Sequence, residues 1–555
     1  MKKRFLAGLL ALFLAVFLAA PVSADTLNAI PAWPDGAIYG VANIESPDEV
    51  FRTIVDSTVF QLGAAMEPDM GMLGEWLKKF PVEAASIVVG MTDKGFSLQA
   101  AARFNESKKE LLQKLAEGKG EEGDLDLLID NPVPGMLILA PFEGNLYAVV
   151  ADGVAAVLLS VEDDMILFGF GEEDIKAARD ALADPAKRMN PARNLPQRNF
   201  IYFQDNGMMA EEILAASEGV LKEAAGSLMA EIGFGLSEKG FDLSIFTNFA
   251  KTFGLDKTEK EIVPLAKDEL VLAGGGKPWL TMAGRVILEK RHFDMIREAA
   301  DGGDYDAQEI VGFLEQLKVM GLTENALISI LQSVGMVLGG DANYSGLAIP
   351  GGYLYTSGEK EWVELLLPLV EAIVNESGMP FEPLAIPGWQ ALYVLKEPVS
   401  ALLGIRDGVA FAGILNAENI EAAPELNPEV ERFLGENNAT FFFNIDAGVV
   451  RRIILEMLDP ANPLAAMFLA DDDDFLEALP FLFEGLKATA AFQGINMSVS
   501  GTERLDFSML TAEPDAGQLA AIDELAAKWD VFLDEMEDDD LDELEEEEAE
   551  AAPKP

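Results

Sequence analysis

The chain of 555 residues contains no cysteine and a single histidine, His292. The first absence excludes a disulfide framework, a lipid-modified N-terminal cysteine and Cys–His catalysis. The second excludes the common zinc sites, which draw several ligands from those two residue types. Basic side chains are also scarce: 40 Lys and Arg stand against 95 Asp and Glu, a net charge of −55. That balance opposes nucleic-acid binding, which needs clustered cations to neutralise phosphates. It equally opposes docking on anionic lipid. Residues 534–550 hold 13 of the acids and no base, and removing them from the total still leaves −42. The acidity is global, as a need for solubility or a saline habitat would produce. The tail is a block of like charge that cannot bury itself and reads as disordered. It offers loose binding to divalent cations or to a basic partner.

The N-terminus reads as a leader. Lys2-Lys3-Arg4 is a basic start, Phe5 to Ala20 is an apolar run, and Val22-Ser23-Ala24 supplies small residues for cleavage before Asp25. The 16-residue run is short for a span of about 20, and no later stretch is both long and uncharged. The expectation is an exported protein, periplasmic or extracellular, without stable membrane insertion. About 530 residues at roughly 150 per domain suggests two to four units. Half the residues are hydrophobic, enough for a sizeable core.

A stretch occurs twice at an offset of 145: ASIVVGMTDKGFSLQAAARF at 85–104 and AEIGFGLSEKGFDLSIFTNF at 230–249. Eight of the 20 positions are identical, among them Gly90, Gly95, Phe96, Leu98 and Phe104. Phe96, Leu98, Ala100, Ala102 and Phe104 alternate with Ser97, Gln99 and Arg103, and Phe241, Leu243 and Ile245 with Asp242 and Ser244. This period of two predicts hairpins with one buried and one solvated face. Asp93-Lys94-Gly95 and Glu238-Lys239-Gly240 form the turns, with the lysines toward solvent. A looser third copy is placed at 488–499, around Gly494.

Each hairpin follows a strand and a helix: Ala37–Ile44 with a helix capped by Ser46-Pro47-Asp48-Glu49, Phe200–Phe203 with Met209–Leu221, and Thr440–Asn444 with Val449–Met457. A β-meander ending in a short helix also recurs. Leu146-Tyr147-Ala148-Val149 through Ala178 matches Leu392-Tyr393-Val394-Leu395 through Ala423, with turns at Asp152-Gly153 and Asp407-Gly408. Helices are expected at Ile310–Leu317, Leu327–Val337 and Trp362–Val374, the last capped by Thr356 and Glu359. Linkers fall at 117–124, 185–196 and 376–388, and an amphipathic helix at 513–533 precedes the tail.

Reactive constellations are missing. His292 has no G-x-S-x-G partner, and Ser357-Gly358-Glu359-Lys360 lacks the companion motifs of a serine acyl-transferase, as does Lys251-Thr252-Phe253-Gly254. Gly274-Gly275-Gly276-Lys277 is followed by Pro278 and is no phosphate loop. Asp301, Asp304 and Asp306, and the run Asp471–Asp474, lack calcium-loop spacing and suit helix starts. No catalytic, cofactor-binding or metal residue is assigned.

Pro34-Asp35-Gly36-Ala37-Ile38-Tyr39-Gly40-Val41-Ala42-Asn43, a strand shortly after a leader and before a helix, resembles a group of exported bacterial proteins of unknown function built from repeated strand–helix and hairpin units. The resemblance implies a mixed α/β exported domain and carries no functional residues. The sequence as a whole predicts an α+β fold of tandem duplicated modules, each an antiparallel sheet with helices on one face: 25–185, 195–425 with a helical insertion, and a partial 430–512. Three functions stay open. The first is a non-enzymatic binding or scaffold protein with an unknown protein partner. The second is a carrier of an apolar, lipid-like ligand with its cavity lined by 310–374. The third is a hydrolase using a carboxylate pair.

Overall fold

The computed structural model describes residues 24–33, 38–45, 74–92, 95–130, 138–151, 154–191, 193–205, 207–217, 227–237, 240–253, 263–265, 278–416, 438–458 and 489–512, with scattered positions between. The leader through Ser23, the cap at 46–49, Asp93-Lys94, Asp152-Gly153, Glu238-Lys239, Gly274–Lys277, Asp471–Asp474, most of the C-terminal helix and the acidic tail lie outside the described residues. The protein is α+β, with antiparallel strands in every described register. It divides into two compact units: Met1–Phe253 with Arg451–Gln493 and Leu510–Pro555, and Gly254–Val450 with Gly494–Met509.

The first unit contains β1 (Ile38–Glu45), β2 (Val82–Thr92), β3 (Gly95–Phe104), β4 (Ile138–Pro141), β5 (Leu146–Ala151), β6 (Val154–Glu162), β7 (Met165–Gly169), β8 (Asn199–Gln204), β9 (Met229–Ser237) and β10 (Gly240–Thr247). Its described helices include α1 (Lys109–Ala116), α2 (Asp124–Ile129), α3 (Glu172–Ala183) and α4 (Met208–Ala216). The strands pair in the order β4-β5-β6-β7-β3-β2-β1-β8-β9-β10. Since β8 bonds to β1, with Tyr202 opposite Val41, residues 199–247 belong to the first sheet. The division therefore falls at Phe253, not in the 185–196 stretch expected to separate modules.

The second unit contains β11 (Leu280–Arg285), β12 (Ser333–Tyr344), β13 (Leu347–Ser357), β14 (Glu382–Pro383), β15 (Ala391–Leu395), β16 (Ala401–Arg406), β17 (Val409–Ile414) and β18 (Phe441–Asp446), with β19 (Phe492–Ser500) and β20 (Arg504–Thr511) nearly whole. Its described helices include α5 (Lys290–Asp301), α6 (Tyr305–Val319), α7 (Glu324–Ile330) and α8 (Leu367–Glu376). Strand order is β14-β15-β16-β17-β13-β12-β11-β18-β19-β20, the order of the first unit repeated strand for strand. Tyr147 stands opposite Leu159 and Tyr393 opposite Leu403, so the two tyrosines hold the same place in their meanders.

Helices on one face only was the expectation for each sheet, and the first unit departs from it. Neighbouring residues of one strand point to opposite faces. Ala42, Ile87, Ala102, Leu159 and Ile166 join a core with Phe51, Trp76, Phe80, Leu112 and Leu128. Their neighbours Val41, Val88, Ala101, Leu158 and Leu167 join two clusters that contain Ile30, Met189, Ile175 and Ala178. Across β1–β3 and β5–β7 the sheet is a buried middle layer. Its second face carries the polar half of the alternation, which is why it reads as solvated in sequence. There Thr26 bonds Ser86 at 3.0 Å, Ser86 donates to Asn43 at 2.9 Å, and Asn43 donates to the Arg198 carbonyl at 3.2 Å. Phe96 departs in the other direction: it is 60% exposed rather than in the core. On β10 Ser244 is buried, while Phe241, Leu243 and Ile245 are only half-buried.

Two segments strap the second face. Ala32 donates its N–H to the Lys187 carbonyl at 2.7 Å and Met189 to the Ile30 carbonyl at 2.8 Å. The strap is fixed to the sheet by Glu231, fully buried on β9. Its carboxylate accepts from Arg193 Nε at 2.5 Å and from the N–H groups of Asn194 and Leu195 at 2.8 and 3.3 Å. The Arg193 guanidinium also lies 3.6 Å from the Phe200 ring centroid.

Other elements correct the sequence reading locally. The helix expected over Leu327–Val337 stops at Ile330, and Ser333 starts β12. Short apolar runs fit both periods, and here strand pairing with β11 and β13 wins. Thr356 is in β13, where its hydroxyl lies within bonding distance of the Ile330 and Ser333 carbonyls, and the helix that follows starts after Glu359, so Thr356 is not its cap. The third hairpin turns at 501–503, not at Gly494. Gly494 sits within β19, where an added Cβ would lie 2.4 Å from the Ile445 carbonyl oxygen. Gly95 and Gly240 do take positive φ, 112° and 139°, at the two repeated turns.

Tyr202, fully buried beside Glu231, donates to Gln204 at 2.9 Å, and burial, then the charges of Tyr39 and Glu231, push its phenol up to about 12. The folded state thus holds this proton more tightly than the unfolded chain. Stability present below pH 10 drains away between pH 10 and about 12; Tyr202→Phe should flatten that alkaline limb in urea titrations. Glu231→Gln leaves Arg193 uncompensated beneath the strap. We expect a loss at the lower end of about 3–5 kcal/mol, with faster hydrogen–deuterium exchange across 185–198.

Candidate functional site

The first unit has a cleft of about 900 Å³, inside the size range of small-molecule sites. Three elements build it: the start of β3, the turn from β7 into α3, and the strap at Pro31–Trp33. The last register pair between β3 and β7 is Gln99 with Gly169. Phe96 and Phe170 therefore overhang the end of the ladder, where no strand covers them. Their rings lie 5.5 Å apart at 40°, and Phe142 faces the same space. Phe96, Phe142 and Phe170 are 60%, 54% and 44% exposed.

The polar floor is committed internally. Asp174 is the third residue of α3 and turns back to accept from the N–H groups of Phe170 and Gly171 at 3.0 and 3.2 Å. Its other oxygen accepts from Ser97 at 2.7 Å and Gln99 at 3.3 Å. Gln99 in turn accepts from Trp33 Nε1 at 3.3 Å. This carboxylate ties helix, strand and strap together at the mouth of an aromatic cleft. Glu172 and Glu173 sit at the rim, where acids suit the positive end of α3.

None of the motifs weighed in the sequence assembles into a reactive set among the described residues. His292 completes the cap of α5: its Nδ1 accepts from the Glu289 N–H at 3.0 Å. Ser357 is buried against the Ser333 hydroxyl, while Lys360 reaches Asp407 at 3.0 Å. The hydrogen bond and charge of Asp407 hold the Lys360 ammonium above its ordinary range, the reverse of what a general base requires. Asp304 caps α6 through the Ala307 N–H at 2.9 Å, with Asp301 ending α5 and Asp306 in the first turn of α6. Among the described residues no group of three or more His, Cys, Asp or Glu side chains converges on a metal site. A smaller cleft of about 320 Å³ lies between α6 and α7, lined by charged side chains such as Lys290, Lys318 and Glu324. Apart from Lys290 its lining comes from the 310–374 segment expected to line a cavity; the larger, aromatic cleft is elsewhere.

No family model and no curated protein matches the chain. A solved structure titled "Structure of crystal form IV of TP0453" aligns over 42% of this chain and 85% of its own, at 8% identity and a TM-score of 0.23. A superposition that loose assigns neither fold family nor function.

Asp174→Ala removes a helix cap and the anchor of Ser97 and Gln99 together. We expect about 1–2 kcal/mol of destabilisation, with faster hydrogen–deuterium exchange confined to 95–99 and 169–177.

Proposed function

We propose that this is an exported, non-catalytic binding protein made by duplication of one ten-stranded module, and that the aromatic cleft of its first unit holds the apolar body of a ligand. One observation carries the reading. Three phenylalanines are exposed around a space of ligand size, while Asp174 has both oxygens engaged by the protein itself. Exposed apolar clusters of this kind are unfavourable in water and are kept where something binds. A carboxylate bound on both oxygens holds the shape of the cleft and is not poised to act on a substrate. The shared strand order and the matched Tyr147 and Tyr393 support the duplication. The basic start, apolar run and Val22-Ser23-Ala24 support export.

The test uses the apolar fluorophore N-phenyl-1-naphthylamine with the purified full chain. Phe96→Ala and Phe170→Ala should each weaken binding by roughly tenfold, the equivalent of about 1.4 kcal/mol per ring, with unchanged circular dichroism. Probe affinity indifferent to both substitutions would remove the cleft from consideration.

A further inference from the structure

The two units share strand order yet cover the same sheet face differently. In the first, the β1–β2 connection lies down on the sheet: Phe51, Val55, Trp76 and Phe80 are all buried in the cluster that contains Ala42 and Ala85. In the second, register places Met282, Val334 and Leu354 at the positions of Ala42, Ala85 and Ala100. Those three side chains are 38%, 42% and 59% exposed. The connection that should cover them, β11 to β12, is the hairpin α5–α6. Its helices pack on each other, and α5 also packs on α7. Met295, Ile310 and Phe313 on this hairpin are 62%, 45% and 57% exposed. An uncovered apolar face and an uncovered apolar hairpin thus belong to one connection.

We propose that this sheet face is a docking surface whose occupant is the chain's own α5–α6 hairpin, closing as its counterpart has closed in the first unit. The first unit shows the complement the face accepts: apolar side chains from the connection between its own first two strands. A second copy is disfavoured as the occupant, because a chain of net charge −55 repels itself. On the hairpin, Ile310, Phe313 and Leu317 form one stripe by helical spacing, and Leu317 already packs against the α7 cluster. What holds the hairpin off the sheet is the α5–α7 tie, where Arg297 bonds Glu324 as well as Asp294. The inference rests on the shared strand order and stands apart from the ligand reading of the cleft.

The absence of cysteine makes the test clean. Gln316→Cys on α6 and Thr502→Cys in the β19–β20 turn place spin labels at exposed positions that leave the docking face and the hairpin stripe intact. In full-length protein, pulsed dipolar spectroscopy should give two distance populations. Arg297→Ala should raise the shorter one several-fold, and Phe313→Asp should abolish it. A single distribution unmoved by either substitution overturns the proposal. So does a short distance that dilution with unlabelled protein removes, since that would assign the face to a second copy.

Discussion

The first unit depends on one buried charge. Glu231 is fully buried in the sheet, so its carboxylate has no route to water and is compensated from the strap side. Arg193 and two backbone N–H groups do this, and in doing so they fix the course of 193–198 over β1, β8 and β9. That segment then accepts from Asn43, and just before it Lys187 and Met189 pair with Ala32 and Ile30, the segment that brings Trp33 to the cleft. A buried ion pair gives little net stability against an apolar substitute, but a misregistered strap would leave the charge bare. Its contribution is to specify one arrangement.

The second unit meets the same position without charge. Register puts Asn444 and Asn496 where the first unit has Tyr202 and Glu231, and the two amides bond at 2.8 Å. A neutral pair satisfies itself within the sheet. The two halves share a strand order and differ in what lies over it: on one face the first has a buried charge held by its cover, and on the other the second has Met282, Val334 and Leu354 where the first has alanines.

Much of this architecture is legible in sequence where local chemistry decides it. The hairpin glycines, the meanders with Tyr147 and Tyr393, and the cap at Asp304 all follow from turn and capping rules. The second sheet face is not legible, because Ser86, Gln99 and Ser244 have the pattern of solvent-facing residues and are satisfied by partners up to 75 residues away. Phe96 misleads for the opposite reason. It keeps the core parity of β3 but lies past the last pairing with β7, and a ladder's end is set by tertiary structure. The cleft consists of such ends, so alternation alone could not find it.

The outer strands of the two sheets share a detail with a consequence for the protein's life at high concentration. β4 and β14 are four and two residues long, and both finish in proline, Pro141 and Pro383, each opposite a matched tyrosine. Proline offers no N–H to an incoming strand, and so short a border gives a foreign β-segment almost nothing to zip onto. A protein with this much antiparallel sheet is ordinarily at risk of fibrillar self-association. Here that border of each sheet is sealed by its shortness and by one missing proton.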